Sequence, residues 1–165
     1  SIFWPRQRPC TIFDWNYWRN TEKTMSTRKN ETIRVNEIML PLNRFPVVSE
    51  QEILKETLEA MGRSRLGIAC IVDRRNKLLG IITDGDIRRK LLKVQKPVSA
   101  FFVDDALDHA IKTPVTINPA DTLLKAVELM GAKQIWDLPV VDEHGTLMGL
   151  LHLHPAVKVL LGIPE

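Results

Sequence analysis

The chain has 165 residues and two cysteines, Cys10 and Cys70, far apart in sequence. Cys70 lies within an apolar strand-like run, so the pair reads as free thiols in a reducing compartment rather than a disulfide framework. A chain this long buries about 70% of its unfolded surface and needs neither a metal nor a disulfide to hold together. Long apolar runs are missing: none approaches the ~20 residues that span a bilayer. The first residues alternate apolar side chains with Arg and Pro and offer no signal-peptide pattern. A cytoplasmic location, away from membranes, is the expectation. No His, Cys and acidic cluster has metal-ligand spacing, and no nucleophile–base pair is legible, so neither a metal nor a catalytic residue is assigned.

Net charge is small, +3, and unevenly placed. Residues 1–34 hold seven Lys/Arg and three Asp/Glu, which leaves 16 basic and 17 acidic residues for the remainder. The basic character belongs to the leader, and a nucleic-acid partner is not expected for the rest. Residues 1–31 form an N-terminal arm or extension. They contain three of the four tryptophans and the only tyrosine, without a clean period. They read as an arm on the domain or a partner, as the end of something upstream, or as an addition before a start at Met25.

The remainder repeats itself. Residues 45–93 align with 114–162 at a constant offset of 69, with identity at Leu54, Glu59, Met61, Gly62, Val72, Asp73, Leu78, Gly80, Leu91 and Leu92. Upstream, VNEIM (35–39) matches LDHAI (107–111) after a three-residue shift. The predicted organisation is 32–93 for unit one, 94–106 for a connector and 107–165 for unit two. Each unit begins with a short β-rich piece, PVV at 46–48 and PVTI at 114–117. A helix follows. Ser49 and Glu52 have capping-box spacing, Asn118 suits an N-cap with Pro119 at N1, and Gly62 and Gly131 suit helix ends. Two apolar strands come next, IACIVD and LLGIIT, then LPVVD and LMGLLH. DIRRKLL and PAVKVLL close the units as second helices. The fold class is α+β: two β-α-β-β-α repeats packed about a pseudo-twofold axis, since neither half alone buries enough.

The repeats differ at their polar positions. Thr83-Asp84-Gly85-Asp86 precedes the second helix of unit one, and Thr with an acid three residues on is also a plain helix cap. The same geometry suits a ligand. A helix start attracts phosphate, an ionised Asp86 can accept from two hydroxyls, and Gly85 permits close approach. In unit two His152 replaces the threonine and Pro155 the aspartate, while Trp136 and Asp137 stand where unit one has Gly67 and Ile68.

With IVDRRNKLLGIITDGDIRR and PVTINPADTLLKAVELM…LPVVDEHGTLMGLL, residues 33–162 resemble a pair of cystathionine β-synthase (CBS) domains, a Bateman module. TDGDIRR and HLH are especially similar to the regulatory tails of arabinose 5-phosphate isomerases. The resemblance implies a non-catalytic, allosteric regulatory module. Its expected ligand is an AMP- or ATP-like nucleotide or a CMP-sugar, bound in the cleft between the CBS repeats. The Thr-x-x-Asp pattern would bind ribose and phosphate, with the base in an apolar cleft of Val47, Val48, Gly67, Ile68 and Ala69. The expected ligand-binding residues are these five with Thr83, Asp84, Gly85, Asp86, Arg89 and His152. No resident cofactor is expected. A homodimer through the CBS helices is implied, with a sugar-phosphate or nucleotide-sugar enzyme as a further partner. Two alternatives stand: a dimerisation module without ligand, and a part of a sugar-phosphate isomerase.

Overall fold

A computed structural model of the chain describes residues 32–163. The N-terminal arm, with Met25 and Cys10, lies outside the described residues. A short helix α1 (Val35–Ile38) comes first. Unit one follows with β1 (Val47–Ser49), α2 (Leu54–Ser64), β2 (Ile68–Val72), β3 (Leu78–Thr83) and α3 (Asp84–Lys93). The connector carries α4 (Val98–Phe102) and a 3-10 turn, Ala106–His109. Unit two is α5 (Leu123–Lys133), β4 (Asp137–Val141), β5 (Leu147–His152) and α6 (Leu153–Leu160). This is the repeated α+β plan with one strand short. In unit one β1 lies parallel to β2, and Cys70 N–H donates to Pro46 O at 2.9 Å. The residue at the Cys70 position of unit two is Pro139, which has no N–H to give. The PVTI segment is accordingly reduced to a single bridge, Ile117 with Val140.

Alternation along the strands divides the apolar residues between three cores. Ala69, Ile71 and Ile82 face α2 and α3 with Leu54 and Met61. Leu138, Val140 and Leu151 face α5 and α6 with Leu123 and Met130. Ile68, Cys70 and Ile81 meet Leu147 and Leu150 of the other unit, so the two sheets share a seam. The hairpin tips join across it. Leu78 N–H donates to Gly145 O at 3.0 Å, and Leu147 N–H donates to Asn76 O at 2.9 Å. These bonds are mates under the offset of 69, so the pseudo-twofold axis passes between Lys77 and Thr146.

The segments ahead of each unit are exchanged. α1 packs on unit two: Val35 N–H donates to Asp121 O, and Leu40 and Leu150 bond each other in both directions. The connector packs on unit one in the same way, with Ala106 N–H to Glu52 O and Ile111 and Ile81 bonded in both directions. Asp121 and Glu52 are 69 apart, whereas Ala106 and Val35 are 71 apart. The upstream segments therefore match one residue out from the shift expected from sequence. Glycines let them approach: a Cβ on Gly149 would lie 2.6 Å from Leu40 O, and one on Gly80 would lie 2.9 Å from Ile111 O.

Exchange also moves the helix starts. Leu54 N–H is taken by Asp104 O, and Leu123 N–H by Ile33 O. Ile53 and Thr122 stay extended as N-caps, so the helices begin later than Ser49 or Asn118 suggests. Thr122 Oγ1 accepts from Lys125 N–H, while Asn118 Oδ1 accepts from Ala120 N–H in a local turn. At the other ends the helices run past Gly62 and Gly131. Arg65 and Gln134 close them in the left-handed region, at φ 54 and 55, with Leu66 N–H to Met61 O and Ile135 N–H to Met130 O.

Candidate functional site

β3 ends at Thr83, whose backbone is extended (φ −121, ψ 152) and whose side chain caps α3. Thr83 Oγ1 accepts from Asp86 N–H at 3.3 Å and donates to Asp86 Oδ2 at 2.7 Å. The guanidinium of Arg89, one turn on, donates to Asp86 Oδ1. Burial pushes the Asp86 carboxyl up. Hydrogen bonds from Thr83 and Arg89, with the charges of Arg89 and Lys90, outweigh it, so the group titrates below the ordinary carboxylate value. It is ionised at neutral pH and part-exposed. Asp84 is exposed, and its N–H donates to Gly67 O at 3.0 Å. A Cβ on Gly67 would lie 2.9 Å from Asp84 Oδ2, so the glycine makes room for that carboxylate. Gly85 sits beneath the Arg89 guanidinium, 3.3 Å from Nη1 to an added Cβ.

The expected base-lining residues divide by face. Val47 packs in the seam, and Val48 against the helix-side core of unit one. Ile68 and Ala69 have buried side chains, in the seam and the helix-side core respectively. What they hold out is main chain. Cys70 N–H faces β1, so by alternation the Ile68 carbonyl does too. Its β1 partner would be the nitrogen of Pro46, which carries no hydrogen.

Unit two builds something else at the mates of Ile68 and Thr83, which are direct cross-strand partners in their own sheet. Asp137 and His152 face each other in the same register, and His152 Nδ1 lies 2.7 Å from Asp137 Oδ1. Burial raises the Asp137 carboxyl above its ordinary value. The His152 bond and charge oppose the rise, and the charge of Asp84 from unit one adds to it. Burial and the Asp137 charge push the Cys70 thiol up to about 12, far from a reactive thiolate. His152 makes no cap bond, and Pro155 lacks the N–H that Asp86 gives to Thr83. Sequence inspection missed this pairing, although the offset of 69 and the Ile68–Thr83 register together contain it. Trp136 is exposed, and its carbonyl takes Leu153 N–H just as Gly67 O takes Asp84 N–H.

A shallow depression at the end of α2, lined by Asn43, Arg44, Pro46, Arg63 and Ser64 among others, contains none of the expected site residues. Among the described residues, no group of three or more His, Cys, Asp or Glu converges as metal ligands. No described helix is long and apolar enough to cross a membrane.

Two sheet–helix units with a seam between them, each carrying a helix start at its strand end, define the class. The CBS domain family matches residues 35–93 and 103–154, and the chain belongs to that family. Among curated relatives, arabinose 5-phosphate isomerase KdsD of Escherichia coli is 30% identical over 129 residues, which cover 76% of this chain and 37% of the isomerase. An uncharacterised Helicobacter pylori protein is 30% identical over 128 residues, again 37% of its length. The chain thus spans little more than a third of these relatives. Among solved structures, CBSX2 in complex with AMP aligns with a TM-score of 0.69 at 24% identity, covering 81% of this chain and 99% of that one. The CBS domain pair of protein MJ0100, in complex with 5′-methylthioadenosine and S-adenosyl-L-methionine, aligns at 0.64 and 19%, covering 79% and 98%.

Proposed function

We propose that this chain is a non-catalytic regulatory module that binds an adenine nucleotide or a nucleotide sugar through unit one. The carrying observation is the Thr83–Asp86 pair at the start of α3, with no counterpart at His152 and Pro155. An ionised, part-exposed carboxylate with two acceptor oxygens matches the adjacent 2′ and 3′ hydroxyls of a ribose. The free carbonyl edge of Ile68 suits an exocyclic amine on the base, and Arg89 suits a phosphate. AMP in CBSX2, and the two adenosine derivatives in MJ0100, support an adenosine-type ligand. One ligand per chain follows, with Asp137 and His152 closing the far side of the cleft. Ligand binding would bias the angle between units through its differential affinity, an effect of about 1–3 kcal/mol in allosteric proteins.

The relation to arabinose 5-phosphate isomerases points to a sugar-phosphate or nucleotide-sugar enzyme in the cytoplasm as the regulated partner. Self-association through the helical faces is part of the reading. Leu92 on α3 is 84% exposed, and Trp136 (70%) and Val103 (66%) lie just beyond helix ends, apolar side chains that a second copy would cover. The same surface favours the second reading, a dimerisation module without ligand. Calorimetric titration with AMP, ATP, S-adenosylmethionine and a CMP-sugar separates the two. The first reading expects heat from at least one, and about 10- to 100-fold weaker binding in Asp86→Ala. Silence from all four to millimolar concentration overturns it.

A further inference from the structure

Each Asp86 carboxylate oxygen already accepts one side-chain hydrogen bond. Thr83 donates to one oxygen and Arg89 to the other. A vicinal diol approaching both oxygens competes with the threonine hydroxyl and the guanidinium for that edge of the carboxylate. The hydroxyl rotates at little cost, but the guanidinium stays charged at every working pH and, half-exposed, is left to water unless an anion receives it. Its neighbours do not supply one. The Asp84 carboxylate points to Gly67, and Lys90 is itself a cation. Gly85 has no side chain in its way, so the guanidinium lies back over the first turn of α3, where a helix start also favours an anion. Unit two has no such device, since Pro155 and Lys158 stand at the Asp86 and Arg89 positions.

We propose that Arg89 is an internal stand-in for the ligand, holding Asp86 until a ribose takes its place and then sorting ligands by whether they bring an anion to receive the released guanidinium. This rests on the ribose reading above and adds the selecting residue. A nucleoside competes with the Asp86–Arg89 bond and leaves the guanidinium only water in return. A 5′-phosphorylated nucleoside breaks it and makes a charge-assisted bond in exchange. An ordinary i,i+3 surface ion pair would show no such dependence on the ligand.

Adenosine and AMP differ only in the phosphate, and titrating both into the 165-residue chain and its Arg89→Gln variant decides the matter. The side chain is exposed, so the variant is expected to fold, with its melting curve as the check. Removing the competitor should tighten adenosine about two- to fivefold. Removing the phosphate contact should weaken AMP about tenfold or more. Opposite signs establish the role. Parallel changes, or none, overturn it while leaving ribose binding at Asp86 intact. If the native chain binds neither compound, the adenosine reading falls and this inference with it.

Discussion

Adding one methyl group at Gly149 tests whether the exchanged segment crosses β5 as closely as described. In Gly149→Ala the new Cβ would lie 2.6 Å from Leu40 O and 2.7 Å from Met39 Sδ. The methionine sulfur can swing away, but the carbonyl is main chain. It accepts from Leu150 N–H at 3.1 Å, while Leu40 N–H donates to Leu150 O at 2.7 Å. Moving it weakens both bonds, at about 1 kcal/mol each. Strain from overpacking adds about 1–3 kcal/mol, and the stiffer unfolded chain returns about 0.4–1. The net expectation is a loss of about 2–4 kcal/mol. Gly62 is the matched control. It lies inside α2 with nothing within 4 Å of an added Cβ, so Gly62→Ala should stabilise by about 0.5–1 kcal/mol. Urea denaturation of both variants, with slopes compared to detect loss of two-state behaviour, reads the difference. Equal midpoints for the two would refute the close crossing and with it the exchange.

Two further expectations concern the seam. The Asp137 carboxyl is raised in the folded chain, so the native state holds its proton more tightly than the unfolded state, and Asp137 costs stability as pH rises from the unfolded value through the folded one. Asp137→Asn should therefore gain on the native chain across that acid range, measured as the difference in unfolding free energy at successive pH values; a difference independent of pH contradicts the assignment. Leu150 is fully buried between the sheets, so Leu150→Ala should cost about 2–5 kcal/mol in the same assay; a cost under about 1 kcal/mol would mean the sheets do not share a core.

The repeat, the four long strands and the Thr83–Asp86 cap were legible because each depends on local periodicity or a short-range bond. Pairing across the chain was not. Ser49 and Asn118 carry reasonable N-cap chemistry, yet Leu54 and Leu123 give their N–H groups to exchanged segments, which hold the preceding residues extended. The glycine rule placed the helix ends at Gly62 and Gly131, whereas Arg65 and Gln134 take the left-handed turn with two main-chain bonds to hold them. Pro139 shows the opposite case: one missing N–H, visible in the sequence, removes most of a strand once the register is known. Around the candidate site, alternation sends Val47 and Val48 to opposite faces and leaves Ile68 with only main chain to offer. The Asp137–His152 pair needed the antiparallel register as well as the repeat.

The central claim is that Asp86 grips a vicinal diol. Calorimetric titration of AMP against its 2′,3′-dideoxy counterpart addresses it directly, since the base and phosphate stay the same. The account expects the dideoxy compound to bind about tenfold or more weakly to the native chain, with the two compounds nearly equal in Asp86→Asn. Equal affinities for the native chain would contradict it.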